Sequence, residues 1–268
     1  MAITALNSAA TGLRALSTKI DVIANNLANA ETTAFKGSRV NFEDLMYLTL
    51  KQPGTVSNSG DIAPSGIFVG LGTKISNTQL DLTEGSLEST NRDLDVGIQG
   101  PGFFKVKVLN TVGNGEAYTR NGNFFLNDKG ELVLGMGDGY RLIPPITIPT
   151  GSTQISISQD GNITVLKPGS NVKTNVGQLK LTQFVNPQGL ELLGGSLFQE
   201  TEASGPPIDS TPGANGAGTV LQTYLEASNV DPVKELVGLI KTQRAFEMNS
   251  QSIQTADQAL QTIGNLRR

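Results

Sequence analysis

The two ends of the chain constrain its fold most. Stepping by seven from Leu6 reaches Leu13, Ile20 and Leu27, and the positions three further on hold Ala9, Leu16, Ile23 and Ala30. The last stretch, Asp231 to Leu266, has no proline after Pro232 and repeats the device less cleanly. There Leu239, Phe246, Ile253 and Leu260 alternate with Thr242, Asn249, Ala256 and Ile263. Apolar residues at this spacing predict amphipathic helices with a narrow seam, each of ~30 residues and ~45 Å long. Such a seam needs another helix to cover it. The opposite end of the same chain and the ends of further copies both qualify, and the pattern alone leaves both open.

Between the ends the period changes. Residues 40–50 carry a short apolar pattern (Phe42, Leu45, Met46, Leu48, Leu50) that fits a short helix or an extended arm, and Gln52-Pro53-Gly54 stops it. Residues 55–72 are punctuated by Ser, Gly and Pro and read as an extended loop. From residue 74 to 200 the period is two. Phe104, Val106 and Val108 alternate with lysines, and Ile155 and Ile157 lead through Gln159-Asp160-Gly161-Asn162 to Ile163 and Val165. A second hairpin runs from Phe124–Leu126 through Asn127-Asp128-Lys129-Gly130 to Leu132–Leu134. Residues 201–227 are again rich in Gly and Pro. The expected architecture is α+β: a discontinuous stem of paired, coiled-coil-like helices (1–46 and 228–268), an extended arm (47–73), an inserted all-β barrel or sandwich (74–200) and a returning linker (201–227).

Composition excludes several kinds of function. The chain has no His and no Cys, which removes the commonest general base, the Ser-His-Asp arrangement, thiolate sites and disulfides. Remaining catalytic candidates are close carboxylates, Glu43-Asp44 and Asp93 with Asp95, and a solvated or capping role outweighs a catalytic one for each. A cell-wall hydrolase acting through Asp93 and Asp95 would also need cleft aromatics, which are scarce. With a formal charge of −4 and no basic cluster, nucleic acid is not an expected partner. Neither a run of ~18 apolar residues nor a basic start followed by an apolar block is present, so membrane insertion and a cleaved secretory signal are not expected. No phosphate loop, calcium loop or cofactor motif stands in a fitting context.

What remains is assembly. The helical ends are poor in charge, and small residues (Gly238, Ala245, Ser252, Ala259) flank the C-terminal seam with amides at Gln243, Asn249, Gln251 and Gln254. Asn25 and Asn29 fall off the N-terminal seam and read as solvated amides near a helix end. A solvated helix back carries more Lys and Glu than these, so contacts with other chains are favoured.

The run Ile20-Asp21-Val22-Ile23-Ala24-Asn25-Asn26-Leu27-Ala28-Asn29, with Thr33 and Phe35-Lys36, resembles the N-terminal signature of bacterial flagellar rod and hook proteins. Glu226–Asp231, Gln243-Arg244-Ala245-Phe246-Glu247 and Thr255-Ala256-Asp257 are similar to that family's C-terminal signature. Gly100–Phe104 and Tyr118-Thr119-Arg120-Asn121-Gly122 resemble its β-domain. The arm, with Tyr47, Gln52, Pro53, Gly54, Pro64 and Gly66, resembles the segment of members at the distal end of the rod; a proximal position is the alternative. Two departures stand out: Ala34 where the family has Gly, which puts a left-handed backbone there in question, and Phe246 where it has Tyr.

The resemblance implies a non-enzymatic subunit of a hollow helical tube in the basal body, crossing the periplasm around the export channel and needing no cofactor. Its implied partners are further copies, proximal rod proteins, hook protein, the ring proteins that act as a bushing, and the flagellar type III export apparatus. The implied assembly residues are Leu6, Leu13, Leu16, Ile20, Ile23, Asn25, Asn26, Leu27 and Asn29 at one end. At the other they are Leu239, Gln243, Arg244, Phe246, Asn249, Ile253, Ala256, Leu260 and Ile263. A soluble export adaptor that binds through its terminal helices without polymerising is the reading from another class.

Overall fold

The computed structural model describes residues 2–54, 64–108, 115–152, 154–167 and 172–266. The chain forms two compact units, one of residues 1–28, 38–80 and 231–268 and the other of residues 29–37 and 81–230.

The first unit holds α1 (Ala2–Ala28), β1 (Ser38–Asp44), β2 (Tyr47–Lys51), β3 (Ile67–Gly70), β4 (Thr73–Leu80) and α2 (Pro232–Leu266). Asp231 starts α2: its carboxylate accepts the N–H groups of Val233 and Lys234 at 3.0 and 3.3 Å, and Pro232 takes the first helical position. Those N–H groups, with the Lys234 side chain, hold the Asp231 carboxyl below its ordinary range.

The two helices pack on each other. A Cβ on Gly238 would lie 3.7 Å from Ile23 Cδ1, one on Gly12 would lie 3.3 Å from Asn249 Nδ2, and Asn26 bonds Glu235. Each step forward along α1 matches an equal step back along α2, so the helices are antiparallel. Gly238 and Ala245 of α2 point inward and allow this approach, whereas Ser252 and Ala259 are exposed.

β1 pairs with β4 and β2 with β3, both antiparallel. Leu45 N–H donates to Gly72 C=O at 2.9 Å and Leu71 N–H to Met46 C=O at 3.3 Å, so the two pairs form one continuous ribbon. Residues 40–50 are therefore extended, not helical. The β-branched and aromatic residues on both edges favour that outcome.

The second unit is antiparallel β: β5 (Leu87–Ser89), β6 (Val96–Gln99), β7 (Phe104–Lys107), β8 (Glu116–Thr119), β9 (Phe124–Leu126), β10 (Leu132–Leu134), β11 (Arg141–Ile143), β12 (Gln154–Ile157), β13 (Asn162–Leu166), β14 (Lys173–Gln178), β15 (Leu181–Gln183), β16 (Glu191–Gly194), β17 (Leu197–Gln199), β18 (Ile208–Ser210), β19 (Thr219–Gln222) and β20 (Tyr224–Glu226). One sheet runs in the order β16-β17-β8-β7-β11-β10-β9, another β12-β13-β14, and β15-β18, β19-β6 and β20-β5 are pairs. Both hairpins read from the alternation are present, with Ile157 opposite Ile163 and Leu126 opposite Leu132. The alternation on β7 puts Phe104 and Val106 into the core with Ile98, Leu134, Leu142, Ile163 and Leu181. T-shaped aromatic contacts close it: Phe104 on Phe124 at 5.2 Å and Tyr118 on Phe184 at 4.8 Å.

Three boundaries differ from the expected ones. Residues 201–227 are not a linker: β18, β19 and β20 pair with β15, β6 and β5. These strands are three or four residues long and interrupted by left-handed residues, Gly205 before β18, Gly213 and Gly216 before β19 and Thr223 before β20, so no period of two develops. Residues 73–80 pair with β1 in the helical unit, not in the β unit. Residues 29–37 belong to the β unit, where Ala34 N–H donates to Glu226 C=O at 2.8 Å. Ala34 is buried with φ +56°, so the left-handed turn persists without glycine, at a cost of about 1–2 kcal/mol in backbone strain.

Candidate functional site

The functional features of the first unit are surfaces. Among the N-terminal candidates Leu6, Leu13, Leu16, Ile20 and Leu27 are half-buried and Ile23 is buried. Asn26, at 4% exposure, is neither solvated nor idle. Its Nδ2 donates to Ser38 C=O at 2.8 Å and to Glu235 Oε1 at 3.3 Å, while its Oδ1 accepts from Ser38 N–H at 3.0 Å. One amide thus imitates a strand partner for the start of β1. Asn25 is exposed. Asn29 is half-buried, its Oδ1 accepting from Thr32 Oγ1 at 3.1 Å.

On α2 the inward face is Gly238, Leu239, Thr242, Ala245, Asn249, Ile253 and Ala256. Two expected seam residues fall off it. Phe246 and Leu260 stay exposed, the first because the face follows small residues and the second because the antiparallel register carries it beyond Ala2, where α1 starts. Gln243 and Arg244 also point outward, Arg244 pairing with Glu247 at 2.8 Å. The side chain of Ile263 lies outside the described residues.

The heptad reading missed a second stripe. Val233, Leu236, Val237, Ile240 and Met248 are exposed on the face turned away from α1. Their spacing of three, one, three and eight in a helix otherwise rich in polar residues was the available signal.

The arm is apolar on both sides, with Met46, Tyr47, Leu48, Leu50, Ile67 and Phe68 exposed. Gln52, Pro53, Gly54 and Pro64 are exposed at its tip, and residues 55–63 lie outside the described residues. Gly66 is required by space: a Cβ there would sit 2.5 Å from Lys51 C=O.

The second unit holds a buried charge cluster that no periodicity reveals. Glu226 Oε1 accepts from Lys36 Nζ at 2.5 Å and Gly85 N–H at 2.9 Å, and Oε2 accepts from Arg120 Nε at 2.6 Å. The remaining donors are spent on carbonyls: Lys36 on Thr83 at 2.6 Å, and Arg120 on Gly100 and Gly102 at 3.0 Å each and Ile98 at 3.3 Å. Burial pushes the Lys36 ammonium below its ordinary value, against the pull of Glu226. Asn229 extends the junction, accepting from Gly37 N–H at 2.8 Å and donating to Asp81 C=O at 2.7 Å. Three segments remote in sequence are thus bolted together by side chains whose every strong group is paired.

The carboxylates weighed for catalysis are placed differently. Glu43 is exposed and held by the Ser76 hydroxyl and by Lys74 at 3.1 Å, which keep its carboxyl low. Asp93 is exposed, whereas Asp95 is buried with Arg92 NH1 at 3.6 Å, so the two do not face one substrate. No group of three metal-ligating side chains occurs among the described residues. No described helix is long and apolar enough to cross a membrane.

Comparison with known proteins follows the same segments. Residues 6–36 match a family profile described as flagella basal body rod protein, residues 97–165 the flagellar hook protein FlgE/F/G D1 domain, and residues 221–266 the flagellar basal body rod FlgEFG protein C-terminal region. Each matched segment supplies one member of the buried cluster: Lys36, Arg120 and Glu226. The chain is 48% identical over 256 residues, 96% of both chains, to the flagellar basal-body rod protein FlgG of Buchnera aphidicola subsp. Schizaphis graminum. It is 44% identical to that of Caulobacter vibrioides over 98% of this chain and 99% of the relative. It is 35% identical to that of Bacillus subtilis over 98% of each. Paired helical ends around an inserted β unit, a charge bolt built from the three matched segments, and near full-length identity lead to one statement: this chain belongs to the flagellar basal-body rod protein family.

Proposed function

We propose that the chain is a structural, non-enzymatic subunit of the distal rod, polymerising helically into a hollow shaft that carries torque from motor to hook and surrounds the export channel. The observation that carries this reading is the exposed stripe Val233, Leu236, Val237, Ile240 and Met248 on α2. A helix already packed on one face and apolar on the other is suited to a tube wall, where it meets its own partner and a neighbouring copy. Coiled-coil-like packing within and between subunits resists shear, because interdigitated side chains have a preferred register. The arm, apolar on both sides, supplies a further contact between copies and stiffens the wall.

On this reading the assembly residues include the inward set Leu6, Leu13, Leu16, Ile20, Ile23 and Leu27 with Leu239, Asn249, Ile253 and Ala256. They also include the outward set to which Gln243, Arg244, Phe246 and Leu260 belong. The implied partners are proximal rod proteins, hook protein and the ring through which the shaft turns, and delivery to the periplasm is through the type III export apparatus. The test is to concentrate the purified full chain and reconstruct the product by electron microscopy. Hollow tubes with the α2 stripe at subunit contacts are expected. A chain that stays monomeric at high concentration, or tubes with the stripe facing solvent, would overturn the reading.

A further inference from the structure

The arm leaves the first unit through a kink that is fastened to α1. At the kink, between the β1–β4 and β2–β3 pairs, Thr11 Oγ1 accepts from Thr73 N–H at 3.3 Å and donates to Ser8 C=O at 2.9 Å. Ser8 Oγ donates to Gly70 C=O at 3.3 Å. Gly72 between them has φ +112°, and a Cβ there would lie 2.1 Å from Thr11 Oγ1 and 3.0 Å from Ser8 Cα. The ribbon backbone therefore meets the helix through nothing larger than the short Ser8 and Thr11 side chains, on a conformation that only glycine adopts without strain.

A two-stranded ribbon has little stiffness at its root, and an arm on a free root would sample many directions. Here two hydroxyls, one turn apart on α1, grip the returning strand of the ribbon on either side of the kink, at Gly70 of β3 and Thr73 of β4. Two bonds on one helix face, with a close backbone approach at Gly72 between them, hold three neighbouring points of that strand and so restrict swing of the root as well as translation.

We propose that Ser8, Thr11 and Gly72 form a pin that sets the direction of the arm within a single chain, so that α1 and the arm move as one body before any neighbour is present. The consequence for shaft stiffness rests on the reading of the arm as an assembly element; the pin itself does not. Ser8, Thr11 and Gly72 are positioning residues, since their bonds hold the arm that carries the exposed apolar surface.

The natural sequence has no Cys, so spin labels at Ser17→Cys on α1 and Thr49→Cys on the arm, both exposed, report their separation by pulsed electron resonance in the unassembled full chain. One narrow distance peak is expected, retained in Thr11→Ser and lost to a broad or split distribution in Thr11→Val and Gly72→Ala. A broad distribution in the unsubstituted chain, a narrow one in both Thr11→Val and Gly72→Ala, or loss of the peak in Thr11→Ser would overturn the pin. Far-UV circular dichroism of each variant checks that the helices are intact. If the distances behave as expected but Thr11→Val tubes bend no more than the parent, the pin stands and the arm's part in stiffness falls.

Discussion

Ile240→Ala is the substitution that separates assembly from folding most cleanly. In the single chain Ile240 is 58% exposed on the outward face of α2, so its removal costs the fold little. In the proposed tube a neighbour covers that exposed portion. Ile and Ala differ by three carbons, about 2.4 kcal/mol if fully transferred from water, and 58% of that is about 1.4 kcal/mol per subunit. A difference of this size raises the critical concentration for tube growth about tenfold. Ile240→Val removes one carbon and is expected to raise it about twofold by the same scaling. The assay is sedimentation of polymer from a dilution series, with the thermal midpoint of the unassembled chain measured in parallel. A critical concentration unchanged in Ile240→Ala would refute the reasoning. So would a midpoint lowered by several degrees, because the side chain would then already be buried within the chain.

Other substitutions test the remaining contacts. Glu226→Gln leaves Lys36 and Arg120 buried without their counter-charge and is expected to cost the β unit about 3–5 kcal/mol in urea titrations. The triple replacement Lys36→Met, Arg120→Met, Glu226→Leu should recover most of that, and equal losses in both would refute a charge origin. Leu13→Asp and Ile253→Asp each place a carboxylate at the helix interface, so tube formation should cease while the β unit melts as before; retained polymerisation would argue against this interface. Asn26→Ala removes two hydrogen bonds at Ser38, the start of β1, and one to Glu235 on α2, and should cost about 1–3 kcal/mol, read as faster amide exchange at Ser38. Burial and the neighbouring Glu200 raise the Tyr118 phenol far above its ordinary value of about 10, so it stays protonated in the fold where the unfolded chain ionises. Its contribution is complete below about pH 10 and is lost as pH rises beyond that, and Tyr118→Phe should flatten the alkaline decline in stability.

The stem and the hairpins were legible because long-period and period-two patterns survive in a single sequence. Ile157 opposite Ile163 follows from where the turn lies, and Ile23 buried on α1 follows from the heptad. Short strands are different: β18 to β20 are each too brief to show alternation, and their partners lie far away in sequence. The α2 face was misread at Phe246 for a physical reason. Helix approach is set there by Gly238 and Ala245, whose small size matters more than the apolar character that the heptad reading counts. Asn26 and the Lys36–Arg120–Glu226 cluster lie within signature motifs, yet their roles are three-dimensional pairings that spacing does not encode. A lone charge amid apolar and glycine residues, such as Arg120 after Ala117-Tyr118-Thr119, was the one visible hint.

The bolt at Glu226 also bears on the order in which the chain folds. Lys36 and Glu226 are 190 residues apart, and the two helices that must pair lie just outside them. Closing a loop of that length is paid in chain entropy, growing by about 0.6 kcal/mol with each doubling. Once the β unit has closed, two of its residues, Gly37 just before β1 and Asn229 just before α2, are already joined by a hydrogen bond. The helices then search as though tethered by about ten residues, a saving of roughly 2.5 kcal/mol from a little over four doublings. The inserted unit thus acts as a staple, lowering the entropy that two distant ends must give up to become a hairpin.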